Sequence, residues 1–372
     1  MKIPTTPSLA LLCSAALAAA AAPPPSPAQP AAPGTSAKQP APAGAKVDSR
    51  GFTLDERGYR VSPKPGVFVL PWSGGVGQTA NAKEIADIGA EADKWGPGQI
   101  IVLDIDSPGG RVTEIFKIID AIAKVRERHR VVVWVREAIS AAAITSMQCD
   151  EIYFRKVGAL GAAMVINGAD SAPPEIVERF RTDVAPIVER NGRPRAVFEA
   201  MVLANAVLTY TKDPVTGKVT WHDKVTGLPG EVVLSDEKEN LTFNASNALD
   251  SGFSKGTADS EKELAALLGL QEWYEISDAG RKASATLVRN YKECEKDLQR
   301  MQQGMGVQRG SEVEQLRYQV TALEKALAWA KRCPPCATNV FGGFDVGDVV
   351  EQLGKQLKDA KKRLADARKA GQ

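Results

Sequence analysis

Residues 101–110 read Ile-Val-Leu-Asp-Ile-Asp-Ser-Pro-Gly-Gly. From Gln99 to Ile105 the chain is nearly continuously apolar, the pattern of a strand buried on both faces. Asp106-Ser-Pro-Gly-Gly110 then breaks it. Pro108 fixes one dihedral and removes a donor, while Gly109 and Gly110 let backbone N–H groups turn outward and approach a ligand. An amphipathic helix follows, carrying Val112, Ile115, Phe116, Ile119 and Ile122.

The same alternation extends in both directions. Gly66 to Trp72 reads as a strand and Asn81 to Trp95 as a helix. Val131 to Val135 reads as the next buried strand, and Ile139 to Gln148 as a small-residue helix. Glu151 to Phe154 and Gly161 to Ile166 are expected as two further short strands. Pro174 to Asn191 and Pro194 to Ala206 are expected as helices, with Gly192 as the stop between them. Strands alternating with helices predict an α/β domain with a parallel sheet. Turn signals at Val215-Thr-Gly, Val225-Thr-Gly and Pro229-Gly mark an inserted hairpin or flap over about 209–239. After Gln271 the composition turns charged and helical. Val313, Leu316, Val320, Leu323, Leu327 and Ala330 follow a heptad, as do Val350, Leu353, Leu357, Ala360 and Leu364. A helical hairpin, an oligomerising coiled coil and simple packing on the main domain all fit these short runs.

In an open parallel sheet, sites form at the carboxyl ends of strands. Two ends combine glycine and serine here. The Gly109-Gly110 turn before a helix has the ingredients of an oxyanion hole. Ser140 follows a buried strand and opens the helix Ala141-Ala-Ala143, where it is either a nucleophile or a simple helix cap.

Taken in order, Ile101 to Gly110, Ile139-Ser-Ala-Ala-Ala143, Cys149-Asp-Glu-Ile-Tyr153 and Gly158-Ala-Leu-Gly161 resemble the Clp/crotonase superfamily. The branch is that of signal peptide peptidase A and the NfeD-type membrane-associated serine proteases. The likeness covers about Gly66 to Leu270, including Gly252-Phe-Ser-Lys-Gly256. It implies repeated ββα units with a parallel sheet and flanking helices, to which this chain adds a coiled-coil-like C-terminal α-helical extension. It also implies Ser140 as nucleophile, an oxyanion hole from the Gly109-Gly110 turn and the Ala141 amide, and a lysine as general base.

This sequence departs at the base. The matching stretch, Pro173-Pro-Glu-Ile176, carries Glu175 where that lysine is expected. Lys156 is the only lysine between Ser140 and Lys212. Lys156 and Glu175 are therefore the candidate bases; Lys156 reads equally as an exposed turn residue. His129 and His222 do not occupy the place of a catalytic histidine. Two functions follow: a serine endopeptidase acting on peptides or membrane-protein segments, or a catalytically silent relative serving as a peptide-binding or oligomeric scaffold. Acyl-CoA chemistry is disfavoured by export.

The chain has 372 residues, room for roughly two domains and appendages. A net charge of +2 leaves no nucleic-acid footprint. Two histidines and five cysteines leave few metal ligands, and neither metal nor cofactor is expected. Lys2 and the apolar run Leu9 to Ala22 read as an export signal, cleaved or retained as an anchor. The resulting organisation is a signal at 1–22, a Pro/Ala-rich tether at 23–48, the protease-like domain at 49–270 and a helical region at 271–372. Export implies a periplasmic or extracellular, membrane-associated location. Cys333-Pro-Pro-Cys336 is expected to close a local disulfide there. Expected partners are a peptide or protein substrate, further copies of the chain and a membrane protein.

Overall fold

The computed structural model describes residues 53–54, 60–61, 65–167, 170–305, 307, 310–342 and 345–370. The expected signal and tether lie outside them. In chain order the elements are β1 (Thr53–Leu54), β2 (Arg60–Val61), β3 (Val67–Ser73), α1 (Ala82–Asp93), β4 (Ile100–Ser107), α2 (Val112–Arg126), β5 (Arg130–Ile139) and α3 (Ala141–Ser146). Then come β6 (Glu151–Gly161), β7 (Ile166–Asn167), β8 (Asp170–Ser171), α4 (Pro174–Arg190), α5 (Arg195–Val202), β9 (Leu208–Lys212), β10 (Val219–His222) and β11 (Val232–Ser235). The chain closes with β12 (Thr242–Asn244), α6 (Ala245–Asp250), β13 (Gly256–Thr257), α7 (Glu261–Leu267), α8 (Ala279–Met305), α9 (Glu312–Arg332), α10 (Pro334–Val340) and α11 (Val346–Ala370).

The main sheet runs β12-β6-β5-β4-β3, with β13 also on β6. β3, β4, β5 and β6 are mutually parallel, and only β12 is antiparallel. The apolar run of β4 is continuous because both faces are covered. Ile101, Leu103 and Ile105 enter a core shared with α1 and α2, whereas Ile100 and Val102 enter a second one with Val132, Trp134, Tyr153 and Leu264. Each such side chain contributes about 1.5–3 kcal/mol on burial.

β6 differs from expectation. Instead of ending at Phe154, it continues as one strand to Gly161. The register with β5 jumps from Val135 opposite Phe154 to Glu137 opposite Ala159. Arg155 to Gly158 thus form a bulge facing Arg136 alone, and the break in apolar alternation mimics a strand end. A Cβ on Gly158 would lie 2.6 Å from the Val135 carbonyl oxygen, so the bulge requires glycine.

β3 is the opposite edge, and its outer side is occupied. The Val67 N–H donates to Tyr274 O (2.8 Å) and Ile276 N–H donates to Val67 O (3.2 Å). α8 then packs on β3 so closely that a Cβ on Gly280 would lie 2.3 Å from Val69 O. Residues 208–235 form a separate three-stranded sheet, β10-β9-β11, at the place of the expected insertion.

The C-terminal helices build their own core from Tyr291, Leu298, Leu323, Trp329, Ala330, Val349, Leu353 and Ala360. Heptad positions of α9 and α11 meet within it, and Lys361 pairs with Glu324 (2.7 Å). The disulfide joins Cys294 of α8 to Cys336 of α10, not Cys333 to Cys336. Close spacing in the sequence suggested a local bridge. The packing of α8 against α10 instead brings Cys294 in from 42 residues away, and Cys333 remains a buried free thiol. Among the described residues, no helix is long and apolar enough to cross a membrane.

Candidate functional site

Ser140 sits where β5 passes into α3, with φ 56° and ψ −126°. A non-glycine residue held there costs about 1–3 kcal/mol, and such outliers gather at functional sites. The sharp strand-to-helix turn is the geometry that presents a nucleophile at the end of a sheet. The Ser140 N–H donates to Gly161 O (2.9 Å), which fixes the turn to the end of β6. Ser140 Oγ makes no hydrogen bond among the described residues. Ala162, next to this anchor, also has positive φ, at 46°.

The Gly109-Gly110 turn packs directly on Ser140. A Cβ on Gly109 (φ +96°) would lie 2.5 Å from Ser140 Cβ and 3.1 Å from its Oγ. At Gly110 the added Cβ would lie 2.3 Å from Val76 O. The turn is strapped to the β3–α1 loop: Val76 N–H donates to Gly109 O (2.8 Å) and Arg111 N–H to Val76 O (3.1 Å). The Arg111 guanidinium also donates to Gly77 O.

Three amides around the serine have different fates. The Gly109 N–H donates to Ser107 Oγ at 3.2 Å. Those of Gly110 and Ala141 have no partner among the described residues. Ala141 is the first residue of α3, where N–H groups lack intrahelical acceptors. Ala141 to Ser146 are all buried, so the small side chains let the helix end sit against the turn. Free amides beside a strained serine can stabilise negative charge on an attacked carbonyl oxygen.

Lys156 is engaged away from Ser140. Lys156 lies on the β6 bulge, 73% exposed, with Nζ 3.2 Å from Asp259 Oδ2. The bulge faces Arg136, four residues before Ser140, or roughly 13 Å of strand. A direct base must come within about 3 Å of the proton it takes. Glu175 is exposed in the first turn of α4 and forms no ion pair among the described residues. The two histidines are engaged elsewhere: His129 Nε2 lies 3.0 Å from Asp93, and His222 Nε2 lies 3.0 Å from Thr211 Oγ1. Burial holds the His129 imidazole below its ordinary range, against the pull of Asp93. Cys149 is fully buried, which pushes its thiol up to about 12 and makes it inert. Among the described residues no group of His, Cys, Asp and Glu could hold a metal ion.

Sequence reading missed Ser107 and Val76 as parts of the site. Ser107 stands within the quoted motif, but only the fold shows that its hydroxyl faces a glycine amide.

Over residues 87–221 the chain matches the NfeD1b N-terminal domain family. The resemblance read from the sequence to the NfeD-type branch is thereby borne out. "Membrane protein NfeD1b" of Bacillus subtilis (strain 168) is 27% identical over 174 residues. That alignment covers 46% of this chain and 34% of the relative, so the chain spans about a third of the curated protein it matches. A membrane-bound stomatin-specific protease in complex with a substrate peptide is 18% identical, covering 55% of this chain and 80% of that one, with TM-score 0.41. A membrane protease specific for a stomatin homolog from Pyrococcus horikoshii is 16% identical, covering 55% and 78%, with TM-score 0.38. Both likenesses are too distant to bear on activity.

Proposed function

We infer that the NfeD1b-type region is a serine acyl-transfer site acting on peptide carbonyl groups. Ser140 Oγ attacks, and the Gly110 and Ala141 amides hold the oxyanion. The observation that carries this reading is the strained Ser140 backbone, held against a glycine turn with unpaired donors on both sides. Unless a reacting group uses it, such strain is a pure loss of stability. Glu175 is the first candidate proton acceptor, because it opens the helix after the β7–β8 hairpin that follows the site strand. Lys156 is the second. The substrate is a peptide or a membrane-protein segment, and the protein works outside the cytoplasm at the membrane. The apolar run Leu9 to Ala22 and the name of the Bacillus relative support that placement.

A second reading, a silent peptide-binding scaffold, is favoured by one specific observation. Lys156 is paired away from the site and Glu175 stands in solvent.

The test is labelling of the full chain with a fluorophosphonate probe, beside Ser140→Ala, Glu175→Ala and Lys156→Ala. Labelling that requires Ser140 and falls with Glu175→Ala or Lys156→Ala supports the enzyme and names its base. An unlabelled wild type that still binds unstructured peptides overturns it in favour of the scaffold.

A further inference from the structure

We propose that Ser107 is a positioning residue that makes Gly110, rather than Gly109, the oxyanion donor of the glycine turn; this rests on the acyl-transfer reading of Ser140. Ser107 is fully buried at the end of β4. Its hydroxyl bridges two segments: Oγ donates to Gly74 O (2.7 Å) and accepts from Gly109 N–H (3.2 Å). A hydroxyl carries one hydrogen. Spending it on Gly74 leaves only lone pairs for the turn, so Ser107 must accept from Gly109, and that amide is withdrawn from the substrate side.

The neighbouring peptide unit is then set by planarity. In a trans peptide the carbonyl and the following N–H point in opposite directions. Gly109 O accepts from Val76 N–H, at 2.8 Å, within the β3–α1 loop. The Gly110 N–H of the same unit therefore points away from that loop. Val76 O receives Arg111 N–H at 3.1 Å and closes the clamp from the other side. Two adjacent glycines could let this turn flip, since both lack a Cβ. Ser107 removes that freedom without touching a substrate, and a buried hydroxyl is what the task requires.

The experiment uses the full chain, Ser107→Ala and Ser107→Cys. The thiol is a weak acceptor of nearly the same size, and it replaces the alanine variant should that one fail to fold. Amide hydrogen exchange is followed by NMR at Gly109 and Gly110, and fluorophosphonate labelling of Ser140 is timed with Ser140→Ala as the blank. Expected are slow exchange at Gly109 and fast exchange at Gly110 in the wild type. Both variants lose the Gly109 protection and label slower by about 10²-fold, the effect of misplacing a catalytic group by about 1 Å. A residue that only stabilised the fold would lower the melting temperature and leave the labelling rate of the folded protein unchanged. Equal exchange at the two glycines of the wild type, or undiminished labelling in both folded variants, overturns the assignment. A wild type that does not label refutes the acyl-transfer reading instead. The exchange arm then still decides whether Ser107 orders the turn.

Discussion

Replacing Gly109 by alanine tests the contact on which the candidate site depends. The backbone there has φ +96°, and the new Cβ would lie 2.5 Å from Ser140 Cβ and 2.7 Å from the Ile139 carbonyl oxygen. Two costs follow. Positive φ disfavours any L side chain by about 1–2 kcal/mol. Carbon atoms need roughly 3.5 Å, so the glycine turn and Ser140 must part by about 1 Å, and forced repacking adds about 1–3 kcal/mol. Gly96→Ala separates the two terms, because Gly96 has φ +84° but nothing within 4 Å of its added Cβ. Urea unfolding of the full chain should show Gly96→Ala destabilised by about 1–2 kcal/mol and Gly109→Ala by about 2–5 kcal/mol. Fluorophosphonate labelling should be unchanged in Gly96→Ala and slowed by about 10²-fold in Gly109→Ala. Identical unfolding midpoints for the two variants would refute the close packing of turn and serine.

Ser140→Gly should abolish labelling and yet raise stability by about 1 kcal/mol in urea unfolding, because glycine accepts φ 56° without strain. Glu84, buried in the first turn of α1, has its carboxyl pushed up to about 7, chiefly by burial. Its native pKa lies above the unfolded value, so its penalty on stability appears as pH rises from about 4.5 and is complete above about 7. Glu84→Gln should therefore stabilise the protein by up to about 3 kcal/mol at pH 8 and scarcely at pH 4, read as the difference in unfolding free energy between the two pH values. Cys294→Ser opens a bridge spanning 42 residues. Chain entropy puts that loss at about 4 kcal/mol, seen as a lower thermal midpoint that dithiothreitol no longer shifts. Phe243, fully buried and stacked on Phe253 at 4.3 Å, should cost about 3–5 kcal/mol on substitution by alanine, measured by urea unfolding.

The parts of the fold that the sequence disclosed are those whose signal is local. β4 was legible because two cores demand apolar residues on both of its faces. The turn at 106–110 was legible because proline and paired glycines have few other uses between a strand and a helix. β6 was misread because a four-residue bulge interrupts its alternation without ending its pairing. The disulfide was misread because nothing in the spacing of Cys333 and Cys336 records that α8 packs against α10. At the site, Ser140 and the glycines could be named from their order in the chain. Which of the two glycine amides is free could not, since that depends on where the buried hydroxyl of Ser107 finds its acceptor. The proton acceptor stayed open for a similar reason: a side chain's reach is set by the register of a bulge or the exit of a helix, and neither leaves a mark in composition.

The covering of β3 bears on how the chain can be cut and how it can associate. An uncovered parallel edge strand offers free N–H and C=O groups to any other extended chain. Here residues 274–276 take the groups of Val67, Pro71 has no N–H to give, and the first turn of α8 lies against Val69. A protein shortened to end near residue 270 would lose this seal and present β3 to its neighbours. Such a fragment should be prone to sheet-to-sheet clumping even with its site intact. The helical C-terminal quarter of the molecule is thus also a guard against uncontrolled polymerisation, and copies of the full chain that do assemble must meet through some other surface than this edge.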